Sequence, residues 1–390
     1  MIQIIDKKGC SGCSACANIC PKNCIKMERD EMGFVYPKVD ADVCINCGRC
    51  ETVCPILTPA KENSPLSVKG AKNRDESVRR TSSSGGTFFE LAKDIISRGG
   101  IVYGCALDSE LVARHIGVET AEDISNLKGS KYVQSDVGET YREVKRHLMD
   151  GRAVLYSGTP CQIAGLKNYL GKDYDNLLLV DVLCHGVPSP GVFEDYLAYL
   201  GEKFGAKPVS VNFRNKEKSW KRLYFEVKFD NGKRYFTFCG YDRYMSMFLN
   251  NISLRPSCYD CRFTTVNRQG DITLGDFWGI GRKYPERDDD KGISLLILNS
   301  EKGEKAYGEI SDKFDTFESD IETAKNPQHT MSASTPKNPK HEEFYRLYRD
   351  EGIKNAIEKT VYIPSKLKQK YHALRRWGLD LARKILKKGY

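Results

Sequence analysis

Apolar positions along the chain change their period several times, and each change predicts an element. Three short runs near the N-terminus, IQII at 2–5, CIKME at 24–28 and FVYPKV at 34–39, read as strands flanking turn-rich loops. Phe88, Phe89, Leu91, Ala92, Ile95 and Ile96 then recur at helical spacing and stop at Gly99 and Gly100, after which IVYGCAL predicts a strand. The same strand–turn–helix order returns in residues 151–170, where AVLYS meets the turn Gly158-Thr159-Pro160 and a helix begins near Cys161. Further strands are predicted in LLLVDV at 177–182 and between Asp271 and Asp276, two residues that can simply cap the flanking turns. Leu367, Tyr371, Leu374, Trp377, Leu381 and Ile385 close the chain with one helical apolar stripe. No run approaches the roughly 18 apolar residues that cross a bilayer. The start has no basic region followed by an apolar stretch, so the expected location is cytoplasmic.

The polar connector TPAKENSPLS at 58–67 divides this pattern. The expected organisation is a small domain over 1–58, a linker over 59–67, a body in two parts over 68–150 and 151–310, and a helical extension over 311–390. With 390 residues there is room for each to have a core.

Fifteen cysteines is a high count for a reducing compartment, where clustered thiols hold metal more often than they form disulfides. Cys10, Cys13, Cys16 and Cys20 follow C-x2-C-x2-C-x3-C-P, and Cys44, Cys47, Cys50 and Cys54 repeat it. This is the spacing of bacterial ferredoxins with two 4Fe-4S clusters, in which the fourth cysteine of each run serves the other cluster. Cluster one is expected on Cys10, Cys13, Cys16 and Cys54, and cluster two on Cys44, Cys47, Cys50 and Cys20. Zinc also accepts four thiolates, but two complete copies ending in Cys-Pro favour iron–sulfur. Cys24 falls outside the pattern and reads as a packed thiol.

Four cysteines of the body carry a weaker signal. Cys161 opens a helix, where the dipole is expected to lower its pKa, and it can be a nucleophile, a ligand or a buried thiol. Cys184 ends a strand beside His185, which reads as a structural histidine. Cys258 and Cys261 form a lone C-x2-C. Together the four make a candidate site for a third cluster or for zinc, and the neighbouring ferredoxin pattern favours the cluster. Residues 82–87, Ser and Gly ahead of a helix, offer free backbone N–H groups to a phosphate, or are an ordinary cap. No G-x-G-x-x-G follows a strand and no P-loop is present. The second C-x2-C pair of a nickel–iron centre is also missing.

SSSGGTF, GGIVYGCAL, KGSKYVQS, SGTPCQIAGL, CHGVPSP, NFRNK, CYDCRF and DITLGDFWG, in that order, resemble the family of coenzyme F420 hydrogenase/dehydrogenase beta subunits over about residues 8–300. The resemblance implies an α+β chain: a bacterial-type dicluster ferredoxin fold, a mixed α/β flavin-binding body and a helical C-terminal tail. It implies FAD held by Ser83, Ser84, Gly85, Gly86 and Thr87, with Lys131, Tyr132, Gln134 and Ser135 along the flavin. It implies a third 4Fe-4S cluster on Cys161, Cys184, Cys258 and Cys261. The implied activity is an iron–sulfur flavoprotein oxidoreductase passing electrons from a ferredoxin-type partner to a small hydride acceptor, with coenzyme F420 one such acceptor. Alternatives are a non-catalytic electron-transfer protein that feeds a partner enzyme and a membrane-surface reductase in envelope polysaccharide synthesis.

Charge bears on the last of these. Of the net +9, residues 366–390 carry +8, with nine Lys or Arg against one Asp. Lys366, Lys368, Arg375, Arg376, Arg383, Lys384, Lys387 and Lys388 surround the terminal stripe. Such a helix suits peripheral contact with an anionic membrane at its inner face, or docking on the body with a solvated basic face. Nucleic acid is not an expected partner, since no aromatic platform or known binding fold accompanies the charge.

Overall fold

The computed structural model describes residues 1–4, 6–325 and 329–387. Thirteen strands are found among them. The N-terminal unit holds β1 (Ile25–Arg29) and β2 (Val35–Val39), an antiparallel hairpin with Ile25 opposite Val39, and two short helices, Ala15–Ile19 and Arg49–Thr52. Residues 2–4 of the expected strand at 2–5 do not pair, and Ile5 lies outside the described residues. Ile2 is instead buried with Cys16, Cys20, Cys50 and Cys54, so its apolar side chain covers the cysteines.

The body is built on β3 (Ser67–Asn73), β4 (Ile101–Leu107), β5 (Ala113–Val118), β6 (Val154–Gly158), β7 (Leu177–Val182), β11 (Ile272–Asp276), β12 (Ser294–Leu298) and β13 (Phe314–Ser319). Their order across one sheet is β13-β3-β12-β11-β7-β6-β4-β5. The four central strands β11, β7, β6 and β4 run parallel. Leu177, Leu178, Leu179 and Val180 are all buried, as a strand covered on both faces requires. β8 (Pro208–Asn215), β9 (Tyr224–Phe229) and β10 (Arg234–Phe238) form a separate antiparallel sheet. It packs with the helices Pro190–Phe204, Arg243–Leu249 and His341–Thr360 into the most extensive core. The segment after 310 is thus not purely helical: β13 completes an edge of the main sheet.

The N-terminal unit is seated on the body. Cys13, Ala15 and Val53 share a core with Tyr141, Ile163 and Leu166. Arg142 spreads its guanidinium over the carbonyls of Ala17, Asn18 and Cys20 and the amide oxygen of Asn23. At the far side the hairpin turn meets the start of helix Pro190–Phe204: Ser189 Oγ donates to Met32 O at 2.6 Å, and a Cβ on Gly33 would fall 2.8 Å from Gly191 Cα. Both glycines are therefore required for this backbone approach.

Candidate redox centres

The two cysteine runs fold alike. Gly12 and Ser14 take positive φ between the first three cysteines, and Asn46 and Gly48 do so at the matching positions of the second copy. These left-handed residues turn each loop back on itself so that three thiols face inward, and a short helix begins at the corresponding residue, Ala15 or Arg49. Cys20 lines one cavity with Cys44, Cys47 and Cys50. Cys10, Cys13, Cys16 and Cys54 are mutual electrostatic neighbours. The crossed grouping expected from the spacing is thus the one the fold brings together. Burial raises the Cys13 thiol to about 12 and drives Cys16 upward too, so iron must displace these protons on binding. Cys47 is exposed and Cys44 half-buried, which puts the second set at the surface and the first against the body. Cys24 is buried with its sulfur 3.3 Å from that of Cys20.

Cys161, Cys184, Cys258 and Cys261 line a second cavity of about 410 Å³. They reach it from three different places. Cys161 follows Pro160 at the start of helix Pro160–Leu170, which Thr159 and Gln162 cap reciprocally. Cys184 lies just past the C-terminal end of β7. Cys258 sits in the 3-10 turn Pro256–Asp260, and the Cys261 amide donates to Ser334 Oγ at 2.9 Å. Arg268 clasps this loop: it donates to the carbonyls of Phe263, Thr265 and Val182, and to Asp181, which also accepts from the amides of Gln269 and Gly270. The Cys161 thiol is not acidified as its helix position predicts. Burial pushes it up, outweighing the Thr159 hydrogen bond and the first-turn amides. Burial also lifts Cys184, Cys258 to about 12 and Cys261 to about 11.

The two inner sets meet across helix Pro160–Leu170. A Cβ on Gly165 would fall 2.9 Å from Cys13 Sγ, so the helix backbone lies directly against the first ferredoxin loop while its first turn carries Cys161.

The residues expected to hold a flavin divide. Ser83 accepts from the Ser130 amide at 2.7 Å, which joins the serine loop to the segment carrying Lys131 and Tyr132. Thr87 Oγ1 and Arg214 Nε are buried without a hydrogen-bond partner, an arrangement open to an anionic or polar ligand. Lys131 is shifted down to about 8 by burial, with Cys105 opposing. Tyr132 stacks on Phe248 at 4.5 Å. The loop glycine Gly85 is needed for packing alone, since a Cβ there would collide with Ala71 O. Gln134 and Ser135 point elsewhere: Gln134 donates to Ser11 O at the first cysteine loop, and Ser135 Oγ bonds His115 Nδ1.

Sequence reasoning passed over several charged groups here. Asp276 is no mere cap: it pairs with the buried Arg214 and accepts from Trp220 Nε1, and Trp220 stacks on Trp278 at 4.6 Å. Asp271 accepts from the Leu179 amide and Ser300 Oγ. Lys216 donates to the carbonyls of Arg79, Ser84 and Lys291, and burial, reinforced by Arg214 and Arg79, lowers it to about 7. His185 bonds Asn251 Oδ1, in keeping with a structural role.

The terminal helix spans Lys366–Lys387. Leu367, Tyr371 and Leu374 are 80%, 60% and 68% exposed, so this part of the stripe is uncovered. The side chains of Arg376, Trp377, Leu381, Arg383, Lys384, Ile385 and Lys387, and all of Lys388, lie outside the described residues. Among the described residues no helix is long and apolar enough to cross a membrane.

Residues 151–323 match the family model for the C terminus of the coenzyme F420 hydrogenase/dehydrogenase beta subunit, and residues 9–56 match the 4Fe-4S dicluster domain. One component of the F(420)H(2) dehydrogenase of Methanosarcina mazei is 26% identical over 172 residues, 41% of this chain and 48% of that protein. An uncharacterized protein of Methanocaldococcus jannaschii is 25% identical over 208 residues, 45% of this chain and 56% of that one. An uncharacterized ferredoxin of the same organism is 38% identical over 52 residues, 13% of this chain and 66% of its own length. The chain spans about half the length of the two relatives matched along its body.

Proposed function

We propose, for a chain that belongs to the family of coenzyme F420 hydrogenase/dehydrogenase beta subunits and carries a 4Fe-4S dicluster domain ahead of the family's region, an internal relay ending at a flavin. An iron–sulfur oxidoreductase of this kind takes electrons at the exposed set, Cys20, Cys44, Cys47 and Cys50. Cys10, Cys13, Cys16 and Cys54 hold the next cluster, and Cys161, Cys184, Cys258 and Cys261 hold a third. The observation that carries this reading is helix Pro160–Leu170, which touches Cys13 through Gly165 and supplies Cys161 to the four-cysteine cavity.

FAD is the proposed terminal cofactor. A bound flavin exchanges electrons singly with clusters and as a hydride with organic substrates. The amides opening helix Thr87–Ser97 and the unpartnered Thr87 hydroxyl would receive its phosphates. Ser83, Ser84, Gly85 and Gly86 form the turn before them, and Lys216 fixes that turn through Ser84 O. Lys131 and Tyr132 would flank the ring. Gln134 and Ser135 are reassigned to supporting the first cysteine loop and His115. The substrate class is a small hydride acceptor, with deazaflavin the first to test.

Iron, zinc and flavin counts on the full chain purified without oxygen decide the matter. About twelve iron atoms and one FAD per chain are expected from three cubanes and one flavin. About eight iron atoms with zinc would remove the third cluster, and absence of flavin would remove the terminal step. Reduction of deazaflavin by the isolated chain distinguishes an enzyme from a protein that only feeds a partner.

A further inference from the structure

Arg255 is completely buried, and its guanidinium has an unusual set of neighbours. Nε donates to Cys10 O at 2.8 Å, Nη1 to Gln134 Oε1 at 2.9 Å and Nη2 to Val35 O at 3.0 Å. Nη2 also lies 3.6 Å from Cys10 Sγ. The cation covers the Tyr36 ring at 4.2 Å. Among the described residues each of these partners is a carbonyl, an amide, a ring or a thiol, and none is a carboxylate.

A guanidinium cannot shed its proton, so a buried one needs an anion nearby. The surroundings are arranged to admit it: a Cβ on Gly12 would fall 2.8 Å from Arg255 Nη1 and 2.6 Å from Gln134 Nε2. Gln134 completes the clamp by donating to Ser11 O at 3.0 Å. On its other side Arg255 bears on the third cysteine set. The Cys258 amide donates to Arg255 O at 2.9 Å, and the guanidinium field reaches both Cys161 and Cys258. Among the described residues bonded to the guanidinium, the Cys10 sulfur is the one that can carry negative charge, as a thiolate or a cluster ligand.

We infer that Arg255 is the counter-charge of the inner clusters, a positioning residue that raises the reduction potential of the cluster on Cys10, Cys13, Cys16 and Cys54 above that of the surface cluster. A cubane gains one negative charge on reduction, and a fixed cation against its ligand favours the reduced form. The surface set has no comparable buried arginine among its cavity-lining residues; Lys22 and Arg49 there are solvent-accessible, and the Met1 ammonium that lines the same cavity is paired with Glu51. This charge adds to the driving force for an electron moving from the exposed cluster toward the body. The effect on potential rests on the dicluster domain alone, while its use as a directional step rests on the relay proposed above.

The test is an EPR-monitored redox titration of the anaerobically prepared full chain. Arg255→Gln should weaken electron binding at one ferredoxin cluster about tenfold, a fall of about 59 mV for a one-electron couple, and leave the other midpoint in place. Arg255→Lys, which keeps the charge, should restore most of the difference. Gln134→Glu gives the guanidinium a carboxylate and should lower the same midpoint with Arg255 intact, and by less than the same change does in the Arg255→Gln background, a difference that a merely structural arginine would not produce. An Arg255→Gln chain with full iron and both midpoints unmoved would overturn the inference. Should that variant fail to assemble, an unmoved midpoint in Gln134→Glu overturns it instead. A missing third cluster or flavin in the metal counts refutes the relay without touching this shift.

Discussion

Asp181 and Arg268 join two stretches of chain that each carry cysteines of the third set, and removing one partner should be far worse than removing both. Asp181 is 0% and Arg268 2% exposed, with Arg268 Nη2 3.4 Å from Asp181 Oδ1. Asp181 also accepts from the amides of Gln269 and Gly270 and from Thr273 Oγ1. Asp181→Asn keeps the shape but leaves a dry guanidinium facing neutral oxygens alone, carbonyls and the Thr273 hydroxyl. Breaking one side of such a pair costs about 3–5 kcal/mol, whereas replacing both by apolar groups of similar size is often neutral. For a folded unit of this size about 1 kcal/mol moves the melting temperature by roughly 2 °C, so Asp181→Asn should melt about 6–10 °C early. The Asp181→Leu/Arg268→Met pair should recover most of that loss. Arg268→Met alone should also release the carbonyls of Phe263 and Thr265 and lose one cluster's worth of iron from the cavity. Anaerobic melts followed by near-ultraviolet and visible circular dichroism, with iron counts, measure each outcome. A shift below about 2 °C for Asp181→Asn, or a double variant no better than the single, would refute the reasoning.

Three further outcomes follow from other sites. Lys216 is about 7 when folded against an ordinary 10.5, so the unfolded chain binds the extra proton between those values and stability rises with pH across that window. The urea midpoint of the wild type should therefore climb from pH 7 to pH 9 relative to Lys216→Met, and parallel slopes would count against it. Gly165→Val should cost about 1–3 kcal/mol by overpacking against Cys13 and slow internal electron transfer in stopped-flow reduction; an unchanged rate would dismiss the helix contact as a route. Deleting residues 366–390 should abolish flotation with anionic liposomes if the exposed Leu367, Tyr371 and Leu374 meet lipid, and equal flotation of both chains would end that idea.

What could be read from sequence was what short-range spacing encodes. The loop around each cysteine run and the strand–turn–helix around Cys161 depend on residues a few positions apart, and both appear as expected, while the crossing of the fourth cysteines follows from the repeat of the whole motif. The third cysteine set was legible only as a candidate, strengthened by the resemblance, because its members come from elements far apart in the chain. Arg255, Arg268 and Lys216 gave no signal, since a buried arginine or lysine is indistinguishable in sequence from a solvated one until its partners are known. β13, FDTFES, alternates too weakly to announce an edge strand, and it forms because β3 offers a free side. The raised Cys161 thiol shows the same limit, for burial is a property of the assembled cavity and it outweighs the local helix terminus.

The Gly33–Gly191 approach, with Ser189 bridging to Met32 and Arg142 gripping the helix that carries Cys16, makes the N-terminal unit a fixed fitting. In the proposed relay, an electron crossing from Cys13 to Cys161 would not wait for a tethered domain to diffuse. The step then has one tunnelling distance, insensitive to solvent viscosity and protein concentration, and the peptide between the two units could lengthen or shorten in related chains at little cost to turnover.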